Sequence, residues 1–94
     1  MKPLRTGEQV QRTSHSYYVV MIDHGKLGLE AIVQPEITRR EVVARIKSHE
    51  YQSIVFIHFV DGLFVEDVTS ELIDAAELEL KDEYRAARAL QAAE

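Results

Sequence analysis

Asp23, His24, His49 and Glu50 are the residues whose types could do chemistry together. Two imidazoles and two carboxylates can hold a divalent metal or share acid–base work. Asp23 and His24 close a β-type run, and His49 and Glu50 follow a helical one, so the pair of dipeptides can meet at one end of a sheet. No His-x-x-x-His or comparable ligand spacing accompanies them. His49 also has a simpler role, since an imidazolium near a helix C-terminus interacts favourably with the helix dipole. His58 stands inside the apolar run Ile54 to Val60 and is read as pointing inward, as a hydrogen-bonded core histidine or, at most, a proton sensor. Ser14-His15-Ser16 offers a hydroxyl and an imidazole, but a nucleophile needs a fixed base and a third group to orient it. No glycine-rich phosphate loop, zinc motif or dinucleotide fingerprint occurs. The sequence therefore assigns no catalytic residue, no cofactor and no metal ligand, with a metal-dependent enzyme at Asp23, His24, His49 and Glu50 kept as a secondary alternative.

Arg39, Arg40, Arg45 and Lys47 place positive charge along one helix, and Lys2, Arg5 and Arg12 make residues 1–16 basic. With Tyr17 and Phe59 as stacking rings on an open sheet, these cations would suit single-stranded nucleic acid. Charge opposes that alternative. The chain has a net charge of −5, and its acids crowd into residues 61–94, where only Lys81, Arg85 and Arg88 oppose them. Nucleic acid is thus a disfavoured partner.

The elements that must position these residues belong to one domain, since 94 residues suffice for one and not for two. Residues 1–16 hold only Leu4 and Val10 as aliphatic anchors beyond Met1 and are expected to form a flexible tail without a signal segment; residues 17–94 form the domain. The apolar runs Tyr17 to Ile22 and Ile54 to Val60 are too short to span a bilayer. There is no cysteine, which favours a reducing compartment, the cytoplasm.

Tyr17 to Asp23 and Leu29 to Gln34 read as a hairpin around the two glycines Gly25 and Gly28, ended by Pro35. Thr38 and Glu41 form a capping box for a helix that carries Val42, Val43 and Ile46 on one face. Ser53 to Val60 and Leu63 to Asp67 make a second hairpin, with Asp61-Gly62 as the centre of a type I′ turn. Thr69 caps a long helix in which Leu72, Ile73, Ala76, Leu80, Tyr84 and Ala87 recur at helical spacing. The expected fold is a two-layer α/β (α+β) sandwich, ββαββα. Its four-stranded antiparallel sheet has the order 2-1-3-4, and both helices lie on one face. The last helix, at about 1.5 Å per residue, outruns the sheet and leaves an alanine-rich end that can pack on a second subunit.

Centring the turns on Asp61-Gly62 and on His24 to Leu27 pairs Val60 with Leu63 and Ile22 with Leu29. The helix-covered face then holds Tyr18, Val20, Ile22, Leu29, Ala31, Val33, Ile54, Phe56, His58, Val60, Leu63 and Val65. The open face holds Tyr17, Val19, Met21, Ile32, Val55, Ile57, Phe59 and Phe64. A sheet covered on one side should alternate apolar and polar residues, and the two central strands do not. A contiguous apolar face of that size marks an interface. The expectation is a small non-catalytic interaction or regulatory module, a homodimer or a binder of another protein, using those eight residues.

Overall fold

The computed structural model describes residues 16–93. Strand β1 (Ser16–Asp23) leads through a short 3-10 turn (Gly25–Leu27) into β2 (Leu29–Val33). Helix α1 (Arg39–Lys47) crosses to β3 (Ile54–Asp61), which turns into β4 (Phe64–Asp67) and then helix α2 (Thr69–Ala93). The sheet is antiparallel throughout, in the order β2-β1-β3-β4. This is the expected ββαββα arrangement. Ser16 already belongs to β1, and residues 1–15, with the rest of the tail and Ser14-His15, lie outside the described residues. Among the described residues, no helix is long and apolar enough to cross a membrane.

The helices form where local chemistry starts them. Thr38 Oγ1 accepts from the Glu41 amide at 3.2 Å, and the Thr38 amide donates to Glu41 Oε1 at 2.8 Å, closing the capping box. At the other end His49 takes a left-handed φ of 66°, the position after the helix that usually falls to glycine. The second helix begins differently from the expected Thr69 cap. The Val68 carbonyl accepts the first helical bond, from Leu72, and Thr69 turns its hydroxyl to the sheet, accepting from the Ile57 amide at 2.8 Å. One threonine thus ties the start of α2 to the centre of the sheet.

The two helices run in the same direction. Arg39 meets Glu71 at 3.4 Å near their first turns, and Lys47, at the end of α1, meets Glu79 at 3.1 Å and also Glu83. Those two carboxylates hold the Lys47 ammonium above the ordinary lysine range. Between the helices and the sheet lies the core: Val20, Ile22, Val42, Val43, Tyr51, Ile57, Val68, Leu72 and Ala76, with Tyr18, Ile32, Ile46, Ile54 and Phe59 packed against it. Helix α2 spans about 37 Å at 1.5 Å per residue, and all its residues from Glu77 to Gln91 are exposed.

The strand registers differ from the expected ones. The loop after β1 contains a full 3-10 turn, so Asp23 lies opposite Leu29 and Ile22 opposite Glu30. A slip of one residue moves every side chain of a strand to the other face. Leu29, Ala31 and Val33 therefore leave the helix side, and Ile32 joins it, opposite the buried Val20. Strand β3 is displaced in the same sense. Val20 faces Ile57 and Tyr18 faces Phe59, so Ile57 and Phe59 point toward the helices while Phe56, His58 and Val60 point away. A helix joins β1's hairpin to β3, so no tight turn sets this register, and two physical preferences do. Ile57 and Phe59 fill the core, and His58 avoids burial without a partner. Val55 occupies the irregularity where the register shifts between Met21 and Ile22.

The second hairpin turns on Gly62-Leu63 rather than Asp61-Gly62, pairing Asp61 with Phe64. Gly62 has φ 61° and Leu63 is not in the positive region, the pattern of a II′ turn. This change moves the partner of His58 by two residues, from Val65 to Asp67, so Val65 keeps the side expected for it relative to Val60.

Two stability outcomes follow from the core. Ile57 is fully buried, and Ile57→Ala should cost about 2–5 kcal/mol in chemical denaturation. Thr69→Val leaves the buried Ile57 amide without an acceptor and should cost about 1–3 kcal/mol more than Thr69→Ser, which retains the hydroxyl.

Candidate interaction face

The face of the sheet away from the helices is built from alternate residues of all four strands. Tyr17, Val19 and Met21 come from β1, Leu29, Ala31 and Val33 from β2, Phe56, His58 and Val60 from β3, and Val65 and Asp67 from β4. Across its middle Val19 lies beside His58 and Val33, and Met21 beside Phe56 and Ala31. Nothing from the described chain covers it. At its edges Leu29 is 63% exposed, Val33 47% and Val65 62%, and at its centre Val19, Met21, Phe56, His58 and Val60 are half-buried among their strand neighbours, whereas Val20 and Ile57, one residue away on the central strands, are 2% and 0% exposed. An apolar stretch spanning four strands is larger than the scattered surface hydrophobics that need no explanation.

The one imidazole on this face is stacked, not hydrogen-bonded into a core. The His58 ring lies 4.0 Å from the Phe56 ring, centroid to centroid, at 21°. Its cross-strand neighbour Asp67 turns its carboxylate to Thr69, accepting from the Thr69 amide at 2.9 Å and from its hydroxyl. Those hydrogen bonds hold the Asp67 carboxyl below its ordinary range, with the nearby His58 a smaller influence. At the far end of β1, Asp23 Oδ1 accepts from the Gly25 amide at 2.8 Å. No lysine or arginine belongs to the eleven positions of the face.

Of the eight residues expected to form an open face, the structure places Tyr17, Val19 and Met21 there. Ile32, Ile57 and Phe59 lie under the helices: Phe59 packs its ring 5.0 Å from Tyr18, and Ile57 is enclosed. Val55 sits half-exposed at the strand irregularity, and Phe64, 80% exposed, projects on the helix side at the hairpin tip, beyond the core. The sequence reading missed Leu29, Ala31, Val33, Phe56, His58, Val60 and Val65, all assigned to the covered side. One signal could have found part of this: His58, a polar residue amid apolar ones, is easier to leave on an open face than to bury.

The Asp23, His24, His49 and Glu50 constellation does not assemble. His24 Nε2 lies 2.8 Å from Glu30 Oε1, Asp23 caps the turn, and Glu50 lies 3.6 Å from Arg45. Among the described residues, no group of three or more histidine or carboxylate side chains is placed to hold a metal. Three of the four cations of α1 are also engaged, across the sheet from the stacked rings. Arg39 and Lys47 pair with glutamates of α2, and Arg45 donates to Gln34 and to the Tyr51 hydroxyl. The expected stacking partner Phe59 is inside, so aromatic face and basic helix lie on opposite layers.

No family model, curated protein or solved structure matches the chain.

The capping box makes a pH prediction. Hydrogen bonds from the Thr38 amide and hydroxyl hold the Glu41 carboxyl below its ordinary value of 4.5. A carboxylate depressed in the folded state contributes stability that is present above that ordinary value and lost as pH falls through the folded one. Thermal unfolding at pH 7 and pH 3 should show a smaller acid-induced drop for Glu41→Gln than for the unaltered chain.

Proposed function

We propose that this protein works by binding protein rather than by catalysis, and that it associates through the open face of its sheet. The observation that carries the reading is the makeup of that face: Val19, Met21, Phe56 and Val60 occupy its centre on the two middle strands, half-buried by their strand neighbours, with the helix-covered core on the opposite side. Taking a large apolar side chain from full exposure to full burial is worth about 1.5–3 kcal/mol; the half-buried centre of the face retains a fraction of that, and the exposed Leu29, Val33 and Val65 more. Catalytic readings have less support, because Asp23, His24 and Glu50 are engaged in a turn and in ion pairs, away from one another.

Tyr17, Phe56 and His58 together make a row of rings that could stack on bases, which is the best argument for single-stranded nucleic acid instead. Such platforms combine rings with a positive groove. Here the face lacks cations and the chain is acidic overall, so a protein surface is the better fit.

Val19→Glu tests the proposal at a position whose side chain touches no core residue of the other face. Circular dichroism should report an unchanged fold. Association measured by light scattering over micromolar concentrations should weaken on the order of a hundredfold, because a carboxylate must then be desolvated at the middle of the contact. Unchanged association of a folded Val19→Glu protein would refute the face assignment. Salt-sensitive binding of labelled RNA, lost in Phe56→Glu, would favour nucleic acid in its place.

A further inference from the structure

We infer that the occupant of the open face is a second copy of this chain, packed sheet on sheet, and that His58 at the middle of the contact makes the assembly come apart in acid. This rests on the open-face reading above and goes on to name the partner and a control.

Charge permits a copy of itself. A chain of net charge −5 repels its own kind wherever acids are exposed, and α2 presents Glu77, Glu79, Asp82 and Glu83 on the helix side. The open face is different. Its one carboxylate, Asp67, stands on edge strand β4, Asp23 lies just beyond it at the far end of β1, and its interior carries no fixed charge. Two such faces can meet without like charges opposing one another. Area agrees. The central strands have eight residues each and the edge strands five and four; at about 4.8 Å between strands and about 3.3 Å per residue they give a footprint on the order of 400 Å². The accessible surface of side chains standing on it is larger, which puts the contact at the small end of the about 600–1,000 Å² per partner of stable complexes. Residues 1–15 are a poor chemical match to such a face, with Met1, Leu4 and Val10 as their aliphatic residues against Lys2, Arg5, Glu8 and Arg12.

A two-fold contact uses the same patch on both copies, so residues at its centre meet residues at its centre. The centre here is the Val19–His58 and Met21–Phe56 pairs. His58 lies over Phe56, and its neighbours on β1 are Val19 and, diagonally, the phenol of Tyr17; on β4 they are Val65 and Asp67. The Asp67 carboxylate is already committed to the amide and hydroxyl of Thr69, and no carboxylate lies within ion-pair distance of the imidazole. In the dimer two imidazoles share a dry, largely apolar centre, and the one carboxylate near each, Asp67, is hydrogen-bonded to Thr69 rather than to the ring. The charged form is disfavoured there, so the dimer binds fewer protons than two free protomers. Association is then strong at high pH and is lost as pH falls through the range in which imidazoles protonate.

The test is sedimentation of the full chain at pH 8 and pH 5.5, with His58→Phe alongside and circular dichroism as a check on folding. The unaltered protein should be dimeric at pH 8 and associate roughly a hundredfold more weakly at pH 5.5, about tenfold for each of the two imidazoles. His58→Phe should lose that ratio, whatever its absolute affinity. A dimer whose pH ratio is flat, or is unchanged in His58→Phe, overturns the role of His58 and leaves the open-face reading standing. A folded monomer at pH 8 up to about 100 μM, well above a micromolar dissociation constant, overturns the second copy, and with Val19→Glu without effect on any other association it overturns the face itself.

Discussion

The two middle strands are apolar on both sides, while helices are available for one. Every other feature of the molecule is arranged around that asymmetry. Val20, Ile22 and Ile57 have the helices over them and disappear from solvent; Val19, Met21, Phe56 and Val60 alternate with them and, without helices over them, stay half-buried. A one-sided antiparallel sheet normally resolves this by placing polar residues outward. Here that resolution is confined to the ends and edges of the sheet, through Asp23 and Asp67, and the interior of the face stays apolar apart from His58.

The helix layer is well determined by comparison. Thr38 and Glu41 start α1, Thr69 fastens the start of α2 to the Ile57 amide, and ion pairs at both ends of α1 align the helices in one direction. Such exposed pairs add little stability individually, but they account for Arg39 and Lys47 without any ligand. Helix α2 then runs on well past the last of its contacts with Lys47, so the polar outer layer and the apolar sheet face are separate surfaces with separate chemistry.

Much of this fold was legible in the sequence. The capping box, the alternation of strand and helix patterns and the order 2-1-3-4 followed from local signals that the structure repeats. The side on which each residue falls was harder. Face assignment depends on register to the single residue, and register depends on loop geometry that residue types constrain only weakly. The 3-10 turn at Gly25–Leu27 displaced β2 by one, and a helical crossover left β3 with no turn to fix it. Ile57 and Phe59 consequently exchanged sides with Phe56 and His58. The apolar open face survived the exchange because β1 and β3 are apolar in both parities, although most of its members changed. The Asp23, His24, His49 and Glu50 cluster failed for a different reason. Sharing one end of a sheet brings backbones near, but Asp23, His24 and Glu50 found nearer partners in Gly25, Glu30 and Arg45.

The central claim is that the face carrying Val19, Val33 and Val60 is hidden in solution by another protein surface. The most direct measurement is the accessibility of those valine methyl groups and of the Met21 methyl to a soluble paramagnetic probe, by NMR, across a dilution series. The account predicts methyls shielded at high protein concentration that become accessible on dilution, with the buried Val20 and Val42 methyls shielded throughout. Full accessibility of Val19 and Met21 at every concentration, in a folded chain, would contradict it.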